Sequence, residues 1–281
     1  CPDAPIVLYK QGNVNLNKHR TLNIIGTRNC TQYGRDLIRA FIRELKSICP
    51  DALVFSGLAY GIDICAHRES LANNMETVGV VAHGLDIVYP RMHTETAKEM
   101  CQKGGGVITE YTTNTQPVPK NFVQRNRIVA GCTDATLLVE SANKGGGLIT
   151  CNIARSYNRE VFAFPGAIGA EYSEGCNQLI RDNGASLITS AYDFVKAMNW
   201  DNDIKLEKAQ QQGIERTLFP NLNSEEQTVV EALQQQNDQQ INMLSVRTNL
   251  SMARLMALLF ELEMKGIIRT MAGGCYHLLE V

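Results

Sequence analysis

From Thr21 to about Met198 the chain alternates short apolar runs with amphipathic stretches of helical period. The runs Thr21–Ile25, Leu53–Phe55, Thr77–Val81, Gly106–Thr109, Ala135–Val139 and Val161–Phe164 are rich in Val, Ile, Leu and Phe, and Gly, Ser or Pro flank them. Apolar runs of this kind read as strands covered on both faces. Between them, segments such as Gly34–Ile48 bring Leu37, Phe41, Leu45 and Ile48 near one side of a helix. This alternation predicts an α/β fold, a doubly wound parallel sheet with helices on both sides, whose ligands bind at the carboxyl ends of the strands.

The pattern stops at residues 199–223, a polar stretch that contains Gln210–Gln212 and reads as a linker between a sheet domain, 1–198, and a small unit, 224–281. In the small unit Ser224 and Gln227 form a capping-box start for a helix running to about Gln235. A second helix is expected near Ile241–Asn249, and a third runs from the Ser251 cap to about Lys265. Ile267–Met271 and Cys275–Leu279 then form a hairpin about Gly273-Gly274. Three helices followed by a hairpin describe a winged helix.

Composition narrows the setting. No stretch approaches the roughly 20 apolar residues of a membrane span, and no basic-then-apolar signal segment opens the chain. Nine cysteines without a C-x-x-C pair point to thiols in a reducing, cytoplasmic compartment, and Cys30, Cys65, Cys132 and Cys151 read as packing residues. Neither a metal nor a cofactor is expected, since no cluster has ligand spacing. The net charge of −2 divides unevenly: 20 Lys+Arg against 18 Asp+Glu up to residue 200, then 7 against 11. A nucleic-acid site must therefore be a local patch, and the first part is the place for it.

The loops after the strands supply one. They carry Gly26-Thr27-Arg28, Ser56-Gly57, His83-Gly84, Lys144-Gly145-Gly146-Gly147-Leu148-Ile149-Thr150 and Pro165-Gly166. Glycines there let backbone N–H groups approach an anion, and a helix starting near Leu148 adds its dipole. A dinucleotide site is not indicated: G-x-G-x-x-G is absent, and Ser56-Gly57 stands where a ribose-binding acid belongs. Ser56, Asp63 and His67 make a poor triad, because Val54 occupies the first glycine position of G-x-S-x-G. Asp63 and His67, four apart, are spaced to touch on a helix. In Phe122-Val123-Gln124-Arg125-Asn126-Arg127 the two arginines are about 200° apart on a helix, so they do not share a ligand. One is expected to reach a phosphate and the other to pair with Glu110 or Glu140. Phe122, next to Lys120, is either a core residue or a base-stacking platform beside cations.

Together these motifs resemble the DprA/Smf family (DNA processing protein A). The matching pieces are Gly26-Thr27-Arg28, Ser56 through Asp63 with Ala66-His67, Gly84-Leu85-Asp86 with Tyr89-Pro90, and Arg125-Asn126-Arg127-Ile128 with Gly131. Gly147-Leu148-Ile149-Thr150, Pro165-Gly166 and Gly175 through Ile180 with Gly184-Ala185 follow in the family's order. The resemblance implies an extended Rossmann-like sheet domain with a winged helix, no catalytic turnover, and binding of single-stranded DNA at the strand ends. It also implies loading of RecA recombinase in natural transformation and a homodimer through the sheet domain. By position, Arg28 and Lys144 would be the main phosphate cations, with backbone donors around Gly26, Ser56-Gly57 and Gly146-Gly147.

Three departures qualify it. Gly145-Gly146-Gly147 replaces the family's usual Ser-Gly-Ser, which leaves backbone amides without hydroxyl donors. Many relatives carry an N-terminal helical domain, whereas this chain starts at Cys1, as a fragment or a shortened member would. From Asn221 onward 4 Lys+Arg face 7 acidic residues, and the third helix of the winged unit has only Arg254 in its first turn. That unit is expected to meet protein rather than duplex DNA, since a groove-reading helix needs Arg, Lys, Asn or Gln at its start. Two other readings are a nucleotide sensor and a Rossmann-type enzyme that cleaves nucleoside 5′-monophosphates. The enzyme's P-G-G-x-G-T-x-x-E motif lacks its glutamate here, since Cys151, Asn152 and Ile153 follow Thr150.

Overall fold

The computed structural model describes residues 1–201, 204, 222–265, 267–271 and 274–278. The chain divides into two compact units, Cys1–Lys205 and Leu206–Val281. Most of the stretch read as a linker lies outside the described residues, as does Gly273.

The first unit is built on an eight-stranded sheet. Its strands are β1 (Tyr9–Gly12), β2 (Thr21–Ile25), β3 (Leu53–Ser56), β4 (Thr77–Val80), β5 (Gly106–Thr109), β6 (Ala135–Leu138), β7 (Glu160–Ala163) and β8 (Ser186–Leu187). Its helices include α1 (Gln32–Ile48), α2 (Ile62–Ala72), α3 (Thr94–Gln102), α4 (Pro119–Gly131), α5 (Gly146–Ser156), α6 (Glu174–Arg181) and α7 (Ala191–Ala197). The spatial order is β1-β5-β4-β3-β2-β6-β7-β8, parallel except for β1 against β5. The winding therefore reverses between β2 and β6, where Ile25 pairs with Leu138, and a doubly wound sheet opens its crevice at that reversal. The six strands read from sequence are all present. The two they omit, β1 and β8, are short and largely exposed edge strands without an apolar run.

Strand residues alternate between two cores. Leu22, Ile24, Val54, Leu137 and Phe162 pack with Phe41, Ile42 and Leu45 of α1 on one face. Ile25, Phe55, Val80, Ile108 and Leu138 pack with Ile128 and Val129 of α4 on the other. The buried side of α1 is Gly34, Ile38, Phe41, Ile42 and Leu45; Leu37 and Ile48, expected on it, are only partly buried. The helix begins at Gln32, two residues before the predicted start, and Thr31 caps it, its hydroxyl accepting from the Gly34 N–H. The buried Asn23 amide N–H groups donate to Thr136 Oγ1 at 2.7 Å and to Thr133 Oγ1 at 3.1 Å.

The second unit contains α8 (Ser224–Gln235), α9 (Ile241–Thr248) and α10 (Met252–Met264), with β9 (Gln239–Gln240), β10 (Ile268–Met271) and β11 (Cys275–Leu278) in the order β10-β11-β9. The capping box sits one residue earlier than the sequence reading placed it. Asn223 accepts from the Glu226 N–H and Glu226 accepts from the Asn223 N–H, both at 2.8 Å. Asn223 fits the cap better because Glu226 also takes Lys265 Nζ at 2.7 Å. Ser251 caps α10 as expected. Among the described residues no helix is long and apolar enough to cross a membrane.

Phe194 is fully buried and meets Phe41, Phe162 and Trp200 with ring centroids 5.7, 5.1 and 5.2 Å away. Phe194→Ala is expected to lower the stability of the sheet unit by about 3–5 kcal/mol. Urea unfolding followed through the chain's one tryptophan, Trp200, measures it.

Candidate nucleic-acid interface

A cavity of about 360 Å³ opens at the crevice beyond β2 and β6. Of the residues picked from sequence, Gly26, Thr27, Arg28, Gly57, Phe122, Arg125, Asn126, Gly146, Gly147 and Thr150 line it. Ser56, Lys120, Arg127 and Lys144 do not, although Lys120 and Lys144 are exposed on bordering segments.

The wall carrying Arg28 is fixed through Glu140. The Thr27 N–H donates to the Glu140 carbonyl at 2.8 Å, and the Ile62 N–H donates to the Thr27 carbonyl at 3.1 Å. The buried Glu140 carboxylate accepts from the Thr31 N–H at 2.9 Å and from the Thr31 hydroxyl at 2.5 Å. A Cβ on Gly34 would lie 2.2 Å from Glu140 Oε2, so glycine there is set by packing. Glu140 had been one of two expected partners for an arginine of α4; it holds this loop instead.

The opposite wall is the start of α5. Gly145 caps it without a side chain, and the first N–H groups of a helix have no intrahelical partner. The helix begins at Gly146 rather than Leu148, so its positive end borders the cavity directly. Gly146 and Gly147 differ in kind. A Cβ on Gly147 would lie 2.7 Å from Leu138, whereas one on Gly146 meets nothing within 4 Å.

The floor corrects the sequence reading. Both arginines of α4 make bonds within the protein. Arg125 is 5% exposed and its Nη1 donates to the carbonyls of Gly57, at 2.6 Å, and Val80. Arg127 pairs with Glu110 at 2.5 Å. Nor does Ser56-Gly57 offer donors: the Ser56 hydroxyl donates to the Ile24 carbonyl, and the Gly57 N–H donates to Asp63 Oδ2 at 3.1 Å. A Cβ on Gly57 would touch both Asp63 and Arg125, so two opposite charges are buried around this residue. Burial pushes the Asp63 carboxyl up while Arg125 pulls it back; burial lowers Arg125 while Asp63 opposes that. Two carbonyls from other elements, which helix spacing cannot show, therefore hold Arg125 beside Asp63.

Asp63 and His67 do not pair, because His67 Nδ1 meets Thr77 Oγ1 at 2.7 Å. No triad assembles around Ser56.

The rim is aromatic and cationic. The exposed Arg28 guanidinium lies 5.7 Å from the centroid of the half-buried Phe122 ring, and Phe122 stands 5.8 Å from Tyr89. The packing core role considered for Phe122 gives way to a cavity-lining one. Tyr89, 46% exposed, was overlooked because only the Tyr89-Pro90 dipeptide signalled it. Ile149, also exposed, lines the cavity beside Gly147. Arg28 is thus the cation at this site not already offset by a buried carboxylate, and it stands beside a ring and opposite a helix N-terminus. The arrangement suits an anion joined to a planar group.

Comparison with known proteins places these features. Residues 1–199 match the family model for DNA recombination-mediator protein A, and residues 216–274 match the DprA winged helix domain. The chain is 36% identical over 193 residues to DNA processing protein DprA of Streptococcus pneumoniae, covering 69% of this chain and 67% of that one. It is 34% identical over 198 residues to Protein Smf of Escherichia coli, covering 70% and 52%. The chain thus spans about half to two-thirds of the length of these relatives. The X-ray structure of the Streptococcus pneumoniae protein superposes with a TM-score of 0.64 at 36% identity, covering 69% of this chain and 67% of that one. A DNA processing protein A structure from Helicobacter pylori, described for its single-stranded DNA binding mode, superposes at 0.65 with 28% identity, covering 72% and 90%.

His67 gives a pH test of the core beneath the site. Burial, then His93 and Arg125, push its imidazole down to about 3. An unfolded chain takes up that proton near pH 6.5, so stability is lost as pH falls from about 6.5 toward 3, by at most about 1.4 kcal/mol per pH unit. His67→Gln is expected to flatten this slope, measured as urea midpoints at pH 7 and pH 5.

Proposed function

The chain belongs to the DNA recombination-mediator protein A family, and we propose that it binds single-stranded DNA in the cavity at the β2–β6 crevice, without turnover, and passes the strand to a RecA-class recombinase. The observation that carries the reading is the opposition of exposed Arg28, over Phe122, to the start of α5, which Gly145 caps without a side chain. A strand presents phosphates and base faces at alternating positions. The cation and the amides suit the phosphate, and the Phe122 ring suits a base. Backbone amides carry no sequence code, so the grip is indifferent to base identity. Lys144 and Lys120, exposed on bordering segments, extend it along the strand. Self-association through the sheet unit, natural transformation as the setting, and a cytoplasmic location belong to the same proposal.

The hydrolase alternative has no group to act. The carboxylate lining the cavity, Asp63, is buried and holds the Gly57 and Ala59 N–H groups.

Arg28→Ala is expected to weaken binding of an oligonucleotide about tenfold or more, the worth of a hydrogen bond to a charged group, alike for poly-dT and mixed sequence. Lys144→Ala is expected to weaken it less. Fluorescence anisotropy across salt should show log affinity falling by about 0.7 per contacted phosphate against log salt. Parent-like binding by both variants would place the site elsewhere.

Gly146→Met provides a separate check. Its side chain enters open space, so the melting temperature should stay within about 2 °C of the parent, as for substitutions that disturb no packing. Oligonucleotide binding should be lost.

A further inference from the structure

The turn that presents Arg28 runs on to Cys30, and the first turn of α2 carries Cys65. The two segments already meet through their backbones. The Ile62 N–H donates to the Thr27 carbonyl at 3.1 Å, and a Cβ on Gly61 would lie 2.6 Å from the Arg28 carbonyl oxygen. Cys30 and Cys65 both pack against the core that α1 shares with the sheet, and both are partly exposed. Their thiols are free of disulfides and share a hydrogen bond.

The surroundings treat the two sulfurs differently. Arg35 Nη2 donates to the Cys30 carbonyl at 3.0 Å, which sets a guanidinium beside the pair, and exposed Arg68 follows Cys65 by three residues on α2. The bond from Cys30, with Arg35 and Arg68, brings the Cys65 thiol down to about 7 against the opposing effects of burial and Glu69. The same bond, with burial, pushes the Cys30 thiol up. Cys30 Sγ lies 3.4 Å from the Thr31 carbonyl, an acceptor for the proton it keeps. Cys151 and Cys176 are a contrast: both are buried, and burial pushes both thiols up, Cys176 to about 12. A cysteine is oxidised where its thiolate is favoured and solvent reaches it, and a second thiol within reach then captures the product.

We propose that Cys65 and Cys30 are a peroxide-sensitive pair, in which Cys65 reacts first and Cys30 closes a reversible disulfide that ties the Arg28 turn to α2. The Cys65 thiolate attacks hydrogen peroxide: an S–O bond forms, the O–O bond breaks, and hydroxide leaves, giving a sulfenic acid. The Cys30 sulfur then displaces that hydroxyl, its own proton leaving with it as water, and the S–S bond forms. The two thiols lose two electrons in all, and peroxide takes them up. An external thiol reverses the bond by exchange, becoming a disulfide itself. Closure shortens the contact to an S–S bond of about 2.05 Å. The Cys30 side can yield, since it lies outside helix and strand with Arg28 and Asn29 exposed, whereas Ile62, Asp63 and Ile64 of α2 are buried. The bond itself does not rest on the DNA-binding reading; only its bearing on Arg28 as a phosphate cation does.

The test treats the reduced full chain with hydrogen peroxide, blocks the remaining thiols by alkylation, and maps the peptides by mass spectrometry. A peptide joining residue 30 to residue 65 within one chain should appear, and dithiothreitol should abolish it. In Cys30→Ser the reaction should stop at the sulfenic acid, trapped on Cys65 by dimedone. In Cys65→Ser, residue 30 should stay reduced. Both positions are partly exposed, so far-UV circular dichroism of each variant should match the parent. Cys30→Ala repeats the dimedone test without a hydroxyl in the turn. No 30–65 linkage at a peroxide dose that oxidises Cys101 or Cys132, thiols that burial holds up, overturns the proposal. So does a dimedone adduct on residue 30 in Cys65→Ser.

Discussion

One buried carboxylate sets the geometry around the cavity. Glu140 follows the strand at which the sheet reverses its winding, and its two functional groups act in different directions. Its backbone carbonyl holds Thr27, and its side chain holds Thr31, so the five-residue turn carrying Arg28 is anchored at both ends. Gly26 and Gly34 follow from this: a Cβ on either would strike Glu140. The acid lies near the start of α1, where the helix field favours negative charge. The carboxylate thus adds to the Thr31 cap and to the backbone bonds of Thr27 in holding the turn that presents Arg28.

Arg125 and Asp63 illustrate the opposite use of charge. Taking both out of water costs more than their attraction returns unless further hydrogen bonds complete the site. Gly57 and Val80 supply carbonyls to Arg125, and the Gly57 and Ala59 N–H groups serve Asp63. The turn after β3, which a motif reading assigns to ligand binding, is therefore spent on neutralising the floor.

Legibility from sequence followed the physics of each feature. Runs such as Thr21–Ile25 are buried on every residue, so hydrophobicity alone locates them within about a residue. β1, with Lys10 and Gln11, and β9, with two glutamines, are held by pairing to a neighbour, and pairing leaves no local pattern. The glycine turns were visible as turns, but not the difference between Gly146, which has room, and Gly57, which has none. Helix spacing separated Arg125 from Arg127 correctly. It could not show that both face carboxylates or carbonyls from other elements, because those are contacts of tertiary origin. The same limit hid Tyr89, which reaches Phe122 from a loop more than thirty positions away.

The scarcity of free charge in the cavity has a kinetic consequence. A polyanion is drawn from a distance by the summed field of a surface, and this molecule carries a net −2 with the exposed cavity cation Arg28 beside a ring. Long-range attraction is weak, so encounter should proceed at ordinary protein rates, about 10⁵–10⁷ M⁻¹s⁻¹, rather than the accelerated rates of strongly basic surfaces. Occupancy then depends on how slowly a strand leaves. A few short-range contacts set that dwell time, and a competitor arriving on the same strand can break them one at a time.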